Sequence, residues 1–175
     1  MSDLPKFVEF HEEGPREGFQ SEKKLYSLAQ RAAVIDALSL TGLSQIQVAS
    51  FVNPKLVPAM ADADQLYSTI ERRDGVRYTA LWLNERGFER AASTPGVDLD
   101  GKLMFYTTDK FSQANNNCTA ADLAERQRGW MALYDQRGVA TEQAYIMTAF
   151  GCYFEGEVSL DTVLHYAAFI RDMCA

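Results

Sequence analysis

The sequence predicts an α/β fold built on a parallel sheet, and three observations carry that expectation. Short apolar runs alternate with longer amphipathic stretches along the whole chain. Turn-forming Gly, Pro, Asn and Asp fall at nearly every boundary. No second composition, low-complexity tract or charge block interrupts the pattern. Strands that alternate with helices need crossover connections, and those make a sheet parallel.

Taken in order, Phe7, Val8, Glu9 and Phe10 alternate in polarity and predict a first strand, broken at Gly14 and Pro15. Residues 28–40 place Ala29, Ala32, Ala33, Ile35 and Leu38 at helical spacing, and Gly42 suits the residue just past that helix. A second strand is expected over 46–52, a helix over 62–71 and a third strand over 78–83. A helix over 85–92, a strand over 103–107 and a long helix over 120–134 follow. The last pair is a strand over 144–149 and a helix to residue 173, with Ser159 as its N-cap. Five strands then alternate with five helices.

Periodicity leaves two architectures open, an open doubly wound sheet and a TIM barrel. No GxGxxG follows the first strand, which disfavours a dinucleotide-binding sheet. A barrel takes eight units and roughly 250 residues. At about 30 residues per unit, this chain of 175 residues holds five.

Composition narrows the function classes. Hydrophobic residues make up 47% and charged residues 23%, as in ordinary globular proteins. A net charge of −7 with no evident basic patch argues against a nucleic-acid partner. No stretch approaches a membrane span, and residues 1–10 lack an apolar signal core. Cys118, Cys152 and Cys174 form no CxxC pair, so reduced thiols in a cytoplasmic compartment are expected.

Four segments go further. Residues 12–20 read EEGPREGFQ, residues 50–62 SFVNPKLVPAMAD, residues 115–119 NNNCT and residues 151–156 GCYFEG. In order and spacing they resemble the E-x-G-P-R-D-G-L-Q, S-F-V-S-P-K-x-V-P-x-M-A-D, N-x-N-C-S and G-C-P-Y-E-G motifs of hydroxymethylglutaryl-CoA lyases. That family belongs to a group of metal-dependent TIM barrels that includes isopropylmalate and homocitrate synthases. The resemblance implies an N-terminal portion of a single TIM (βα)8-barrel domain over 1–175, about five βα units of a partial barrel. It implies retro-Claisen cleavage of a 3-hydroxy-acyl-CoA to acetyl-CoA and a keto acid, acetoacetate. A divalent cation, Mg²⁺ or Mn²⁺, is the implied cofactor, and an acyl-CoA the implied partner; a homo-oligomer is compatible with it.

The same resemblance assigns residues. Arg16 falls at the family's catalytic arginine, where a guanidinium faces the developing enolate oxygen; without the motif it reads as a surface arginine in a turn. Glu17 stands where the family has a metal-ligand Asp, one methylene longer. Gln47 stands where it has a buttressing Glu, and cannot carry charge. Glu12, Gln20, Ser50 and Tyr145 match positions lining the substrate pocket. Asn115 reads either as an approach to the CoA portion or as part of a polar loop. His11 and His165 are not expected to bind metal, because the family's paired metal histidines lie beyond its fifth unit. Those histidines, the glycine-rich loop with a reactive Cys and the late Asn ligand do not occur in the chain, so it is not expected to turn over substrate alone. A Claisen-type synthase of the same group, and a diverged non-catalytic barrel that binds an acyl-CoA or a partner chain, are the alternatives.

Overall fold

The computed structural model describes residues 4–174, and they divide near residue 99 into two compact units. The first holds β1 (His11–Glu12), α1 (Gly14–Ser21), α2 (Leu28–Leu38), β2 (Gln45–Ser50), a 3-10 turn (Pro58–Met60), α3 (Ala63–Thr69), β3 (Arg77–Leu81) and α4 (Glu85–Ala92). Its three strands form a parallel sheet with β2 in the middle. All six residues of β2 are buried, its polar Gln45, Gln47 and Ser50 included, as suits the middle strand of a parallel sheet covered on both faces. Ile35 from α2, Leu66 from α3 and Phe88 from α4 are buried with Ile46, Val48, Tyr78 and Ala80 of the strands.

The helix signals are local and specific. Ser27 and Gln30 close a reciprocal capping box at the start of α2. Asn84 caps α4 by accepting from the Gly87 N–H at 2.9 Å. Gly87 is required for packing: a Cβ there would lie 2.2 Å from the carbonyl oxygen of Phe51.

The second unit holds β4 (Gly101–Tyr106), α5 (Asp109–Asn116), α6 (Ala120–Gln136), β5 (Thr141–Met147) and α7 (Leu160–Met173). β4 and β5 pair in parallel. Thr119 caps α6 and Ser159 caps α7, the latter as the sequence predicts. Phe105 of β4 meets Phe169 of α7 edge-on, with ring centroids 5.9 Å apart.

Three expectations are corrected. Residues 7–10 form no strand, and Phe7, Val8 and Phe10 are exposed. The strand lies later, where His11 and Glu12 find register against Gln45 and Ile46. Second, Gly14 and Pro15 do not merely break the chain; they open α1. Proline suits a first turn because its missing N–H has no intrahelical partner there. Third, residues 115 and 116 are the end of helix α5 rather than a loop. Asn117 closes it in the left-handed region at φ 53°, a conformation Asn tolerates. All strand pairings between named strands are parallel, so the α/β class holds.

Candidate functional site

In the first unit the signature residues converge where α1 lies against β2. Arg16 and Gln20 stand four residues apart on α1 and therefore share one face. Gln47 and Ser50 stand three apart on β2, a spacing that would put them on opposite faces of a regular strand. The register between β2 and β3 slips between Gln47 and Ala49, and this extra residue turns both toward α1. Arg16 Nε then donates to Gln47 Oε1 at 2.5 Å, and Ser50 Oγ donates to Gln20 Oε1 at 2.8 Å.

Arg16 is the centre of the cluster. Its side chain is 11% exposed, and its Nη2 donates to Glu13 Oε2 at 2.7 Å. Nη1 donates to Glu17 Oε2. These contacts engage three of the five N–H donors of a guanidinium and leave two for a ligand. The planar fork is fixed from three sides, so its direction is set before anything binds. Gln47 is 2% exposed and 0% of Ser50 is accessible, so the strand side of this anchor is rigid and dry.

Of the residues singled out in the sequence, the structure gathers Arg16, Glu17, Gln20, Gln47 and Ser50. Glu12 adjoins them at the end of β1, where its Oε1 accepts from the Gly14 N–H and so serves the start of α1. Tyr145 and Asn115 belong to the second unit. The Tyr145 hydroxyl donates to Gln143 Oε1 at 2.5 Å on β5. Asn115 is exposed and its Nδ2 donates to the Phe111 carbonyl one turn back, at 3.0 Å.

Two residues went unnoticed in the sequence. Glu13 is the third partner of Arg16, and its i, i+3 spacing was the available signal. Thr79 is the register partner of Gln47 on β3, fully buried, with a hydroxyl that meets no hydrogen-bond partner. No sequence signal marks it.

A divalent cation needs several oxygen or imidazole ligands. Among the described residues no group of three His, Cys, Asp or Glu is arranged to hold one. Glu17 offers one carboxylate, 62% exposed and already paired with Arg16. The described residues therefore do not by themselves fit a metal centre.

The second unit carries a polar cluster around Cys152, after β5. Burial alone would push the Cys152 thiol up. Hydrogen bonds from the Thr108 hydroxyl and the N–H groups of Phe154 and Glu155 outweigh that and hold it below its ordinary value. The Thr108 Oγ1 to Sγ distance is 3.1 Å.

Fold and site together define a protein of repeated βα units with a pinned arginine just after its first strand. No protein-family model matches the chain. It is 37% identical over 98% of its length to the 3-hydroxy-3-isohexenylglutaryl-CoA/hydroxy-methylglutaryl-CoA lyase of Pseudomonas aeruginosa, covering 56% of that protein. The crystal structure of a hydroxymethylglutaryl-CoA lyase from Pseudomonas aeruginosa superposes with a TM-score of 0.87, at 37% identity over 98% of this chain and 56% of that one. An HMG-CoA lyase from Acinetobacter baumannii, solved with coenzyme A and 3-methylmalate, gives a TM-score of 0.82 at 25% identity, over 99% of this chain and 55% of that one. The chain is thus a homologue of the hydroxymethylglutaryl-CoA lyases along nearly all of its own length. It spans about half the length of the curated relatives it matches.

Proposed function

We propose that this chain supplies the arginine-centred part of an acyl-CoA carbon–carbon lyase, as the N-terminal five βα units of one TIM-barrel domain. The observation that carries the reading is Arg16, held by Gln47, Glu13 and Glu17 with donors to spare. The substrate class is a 3-hydroxy-acyl-CoA, in the manner of 3-hydroxy-3-methylglutaryl-CoA. A base takes the proton of the tertiary hydroxyl, and the C2–C3 bond breaks. Its electron pair passes into the thioester enolate while C3 becomes the ketone of acetoacetate. Protonation at C2 then gives acetyl-CoA. Arg16 faces the enolate oxygen as charge develops there, the point at which a fixed donor lowers the barrier most. Gln47 positions Arg16 rather than touching substrate. Gln20, Ser50 and Glu12 are the first unit's further candidates for contact with substrate, and Tyr145 and Asn115 are those of the second unit.

A divalent cation, Mg²⁺ or Mn²⁺, belongs to the resemblance, and Glu17 is the carboxylate this chain would bring to it. Glu17 and Gln47 together favour a second reading, a diverged barrel that binds an acyl-CoA without turnover, because the family's Asp and Glu are both changed. The three cysteines form no disulfide, which supports a reducing, cytoplasmic-type compartment. No helix among the described residues is long and apolar enough to cross a membrane.

The test is acetoacetate release from 3-hydroxy-3-methylglutaryl-CoA. The enzyme is a fusion of this chain to the part of the Pseudomonas lyase that it does not span, assayed with Mg²⁺ or Mn²⁺ present. Cleavage supports the lyase reading. Tight acyl-CoA binding without any cleavage favours the second.

A further inference from the structure

The second unit carries an acidic cavity of its own. It encloses about 510 Å³, and Asp109, Glu155, Asp161, Thr162, His165 and Tyr166 are among its lining residues. Three carboxylates line it, and no lysine or arginine does. The volume falls within the usual range for small-molecule sites, on the order of 300–1,000 Å³. The cavity forms where three helices begin, α5 at Asp109, α6 at Ala120 and α7 at Leu160.

The helix starts fix the carboxylates. Asp109 Oδ1 accepts from the Ala120 N–H at 2.9 Å, and Glu155 Oε1 accepts from the Lys110 N–H at 2.7 Å. Asp161 stands in the first turn of α7, and positive helix ends favour negative charge. Each of the two bonds engages one carboxylate oxygen and leaves the other, and none of the three acids makes an ion pair among the described residues. Capping alone would explain these acids, but it does not explain Tyr166. That residue is 9% exposed, with its ring centroid 6.2 Å from Phe105 and 5.4 Å from His165. Its hydroxyl lies within reach of the Asp109 charge and makes no hydrogen bond among the described residues. A buried hydroxyl is ordinarily paired, and this one belongs to a residue of the cavity wall.

These features select a ligand class. An anion would meet three carboxylates. A metal ion needs its ligands gathered around one point, and no three His, Cys, Asp or Glu among the described residues are so gathered. A guanidinium prefers both oxygens of a carboxylate, and two of these three have one oxygen engaged already. Ammonium groups need only single acceptors and bring three donors each. Carboxylates spaced around a cavity match charges spaced along a chain. We propose that this cavity binds an aliphatic polyamine, its ammonium groups held by Asp109, Glu155 and Asp161, with the Tyr166 hydroxyl as a further acceptor. Such binding does not depend on the lyase reading.

The experiment is calorimetric titration of the full chain with spermidine, putrescine, Mg²⁺ and a trilysine peptide. Three variants are compared: Asp161→Asn and Tyr166→Phe in the cavity, and Glu22→Gln, which removes an exposed acid of the first unit. Circular dichroism checks each fold; Asp161 is exposed and Phe keeps the ring packing of Tyr166, so all three are expected to fold. Spermidine should bind saturably and more tightly than putrescine. Its affinity should fall about fivefold in Asp161→Asn and about threefold in Tyr166→Phe, as loss of one charge pair and of one hydrogen bond implies. Glu22→Gln should leave it unchanged. Tyr166→Phe keeps every charge, so its effect separates a built site from general attraction to a chain of net charge −7. Unchanged affinity in either cavity variant, or an equal loss in Glu22→Gln, overturns the proposal. So does displacement of spermidine by Mg²⁺ at equal concentration, binding of trilysine but not spermidine, or the absence of saturable spermidine binding.

Discussion

Replacing Gln47 by Leu should destabilise the first unit by about 2 kcal/mol, because it strips the buried anchor from Arg16. Leu is close to Gln in volume, so little of the effect comes from a cavity. What is lost is one charge-assisted hydrogen bond, Arg16 Nε to Gln47 Oε1 at 2.5 Å. Such bonds contribute roughly 1.5–3 kcal/mol net, and an unsatisfied charged donor in a dry site adds to the penalty. Arg16 is 11% exposed, so water compensates poorly. Glu13→Gln is the control: its carboxylate is 40% exposed, and the expected loss is about 1 kcal/mol or less. Urea denaturation followed by far-UV circular dichroism reads both. With a slope of about 2 kcal/mol per molar urea, Gln47→Leu should lower the midpoint by about 1 M. If Gln47→Leu leaves the midpoint in place, or if Glu13→Gln costs more, then Gln47 does not hold Arg16.

Further outcomes follow from other parts of the molecule. Thr108→Val should raise the Cys152 pKa by removing a donor to its sulfur, so iodoacetamide labelling of Cys152 near neutral pH should slow relative to exposed Cys174. Burial, and then the Asp109 charge, hold the Tyr166 pKa above 10.0. Its contribution to stability is present below the unfolded value and fades as pH rises through the raised folded one, so Tyr166→Phe should flatten the alkaline side of a pH–stability curve. Millimolar Mn²⁺ should leave the melting temperature of the 175-residue chain unchanged, because one exposed, paired carboxylate is a weak site; a clear stabilisation would contradict that reading of Glu17. In the fusion enzyme, Glu17→Asp with Gln47→Glu should raise kcat on 3-hydroxy-3-methylglutaryl-CoA by restoring the family charge pattern, and a fall in rate would refute the reasoning.

Helices with strong local signals were legible from the residues alone. The 85–92 helix matches α4 residue for residue, and Ser159 caps α7, because a cap and an apolar stripe are local properties. β1 was displaced because its two residues are defined by pairing with Gln45 and Ile46, which no local pattern encodes. α1 was missed for a related reason. Two glycines and a proline in eight residues predict a turn, and helix forms there because Arg16 and Gln20 are anchored to β2. The resemblance singled out Arg16, Gln47 and Ser50, and the structure gathers them where α1 lies against β2. The irregularity that points Gln47 and Ser50 the same way is a property of sheet register and appears only in the folded chain. Thr79 was invisible, since a buried threonine on a strand is ordinary β chemistry until its unpartnered hydroxyl is seen.

The role of Arg16 is tested by the effect of Arg16→Gln on acetoacetate release by the fusion enzyme, with kcat and KM measured separately. A guanidinium that acts on the developing enolate contributes mainly in the transition state. The expected outcome is a fall in kcat on the order of 10²–10³-fold with little change in KM. A variant that keeps near wild-type kcat, or that loses only substrate affinity, would contradict the central claim that Arg16 carries the chemistry.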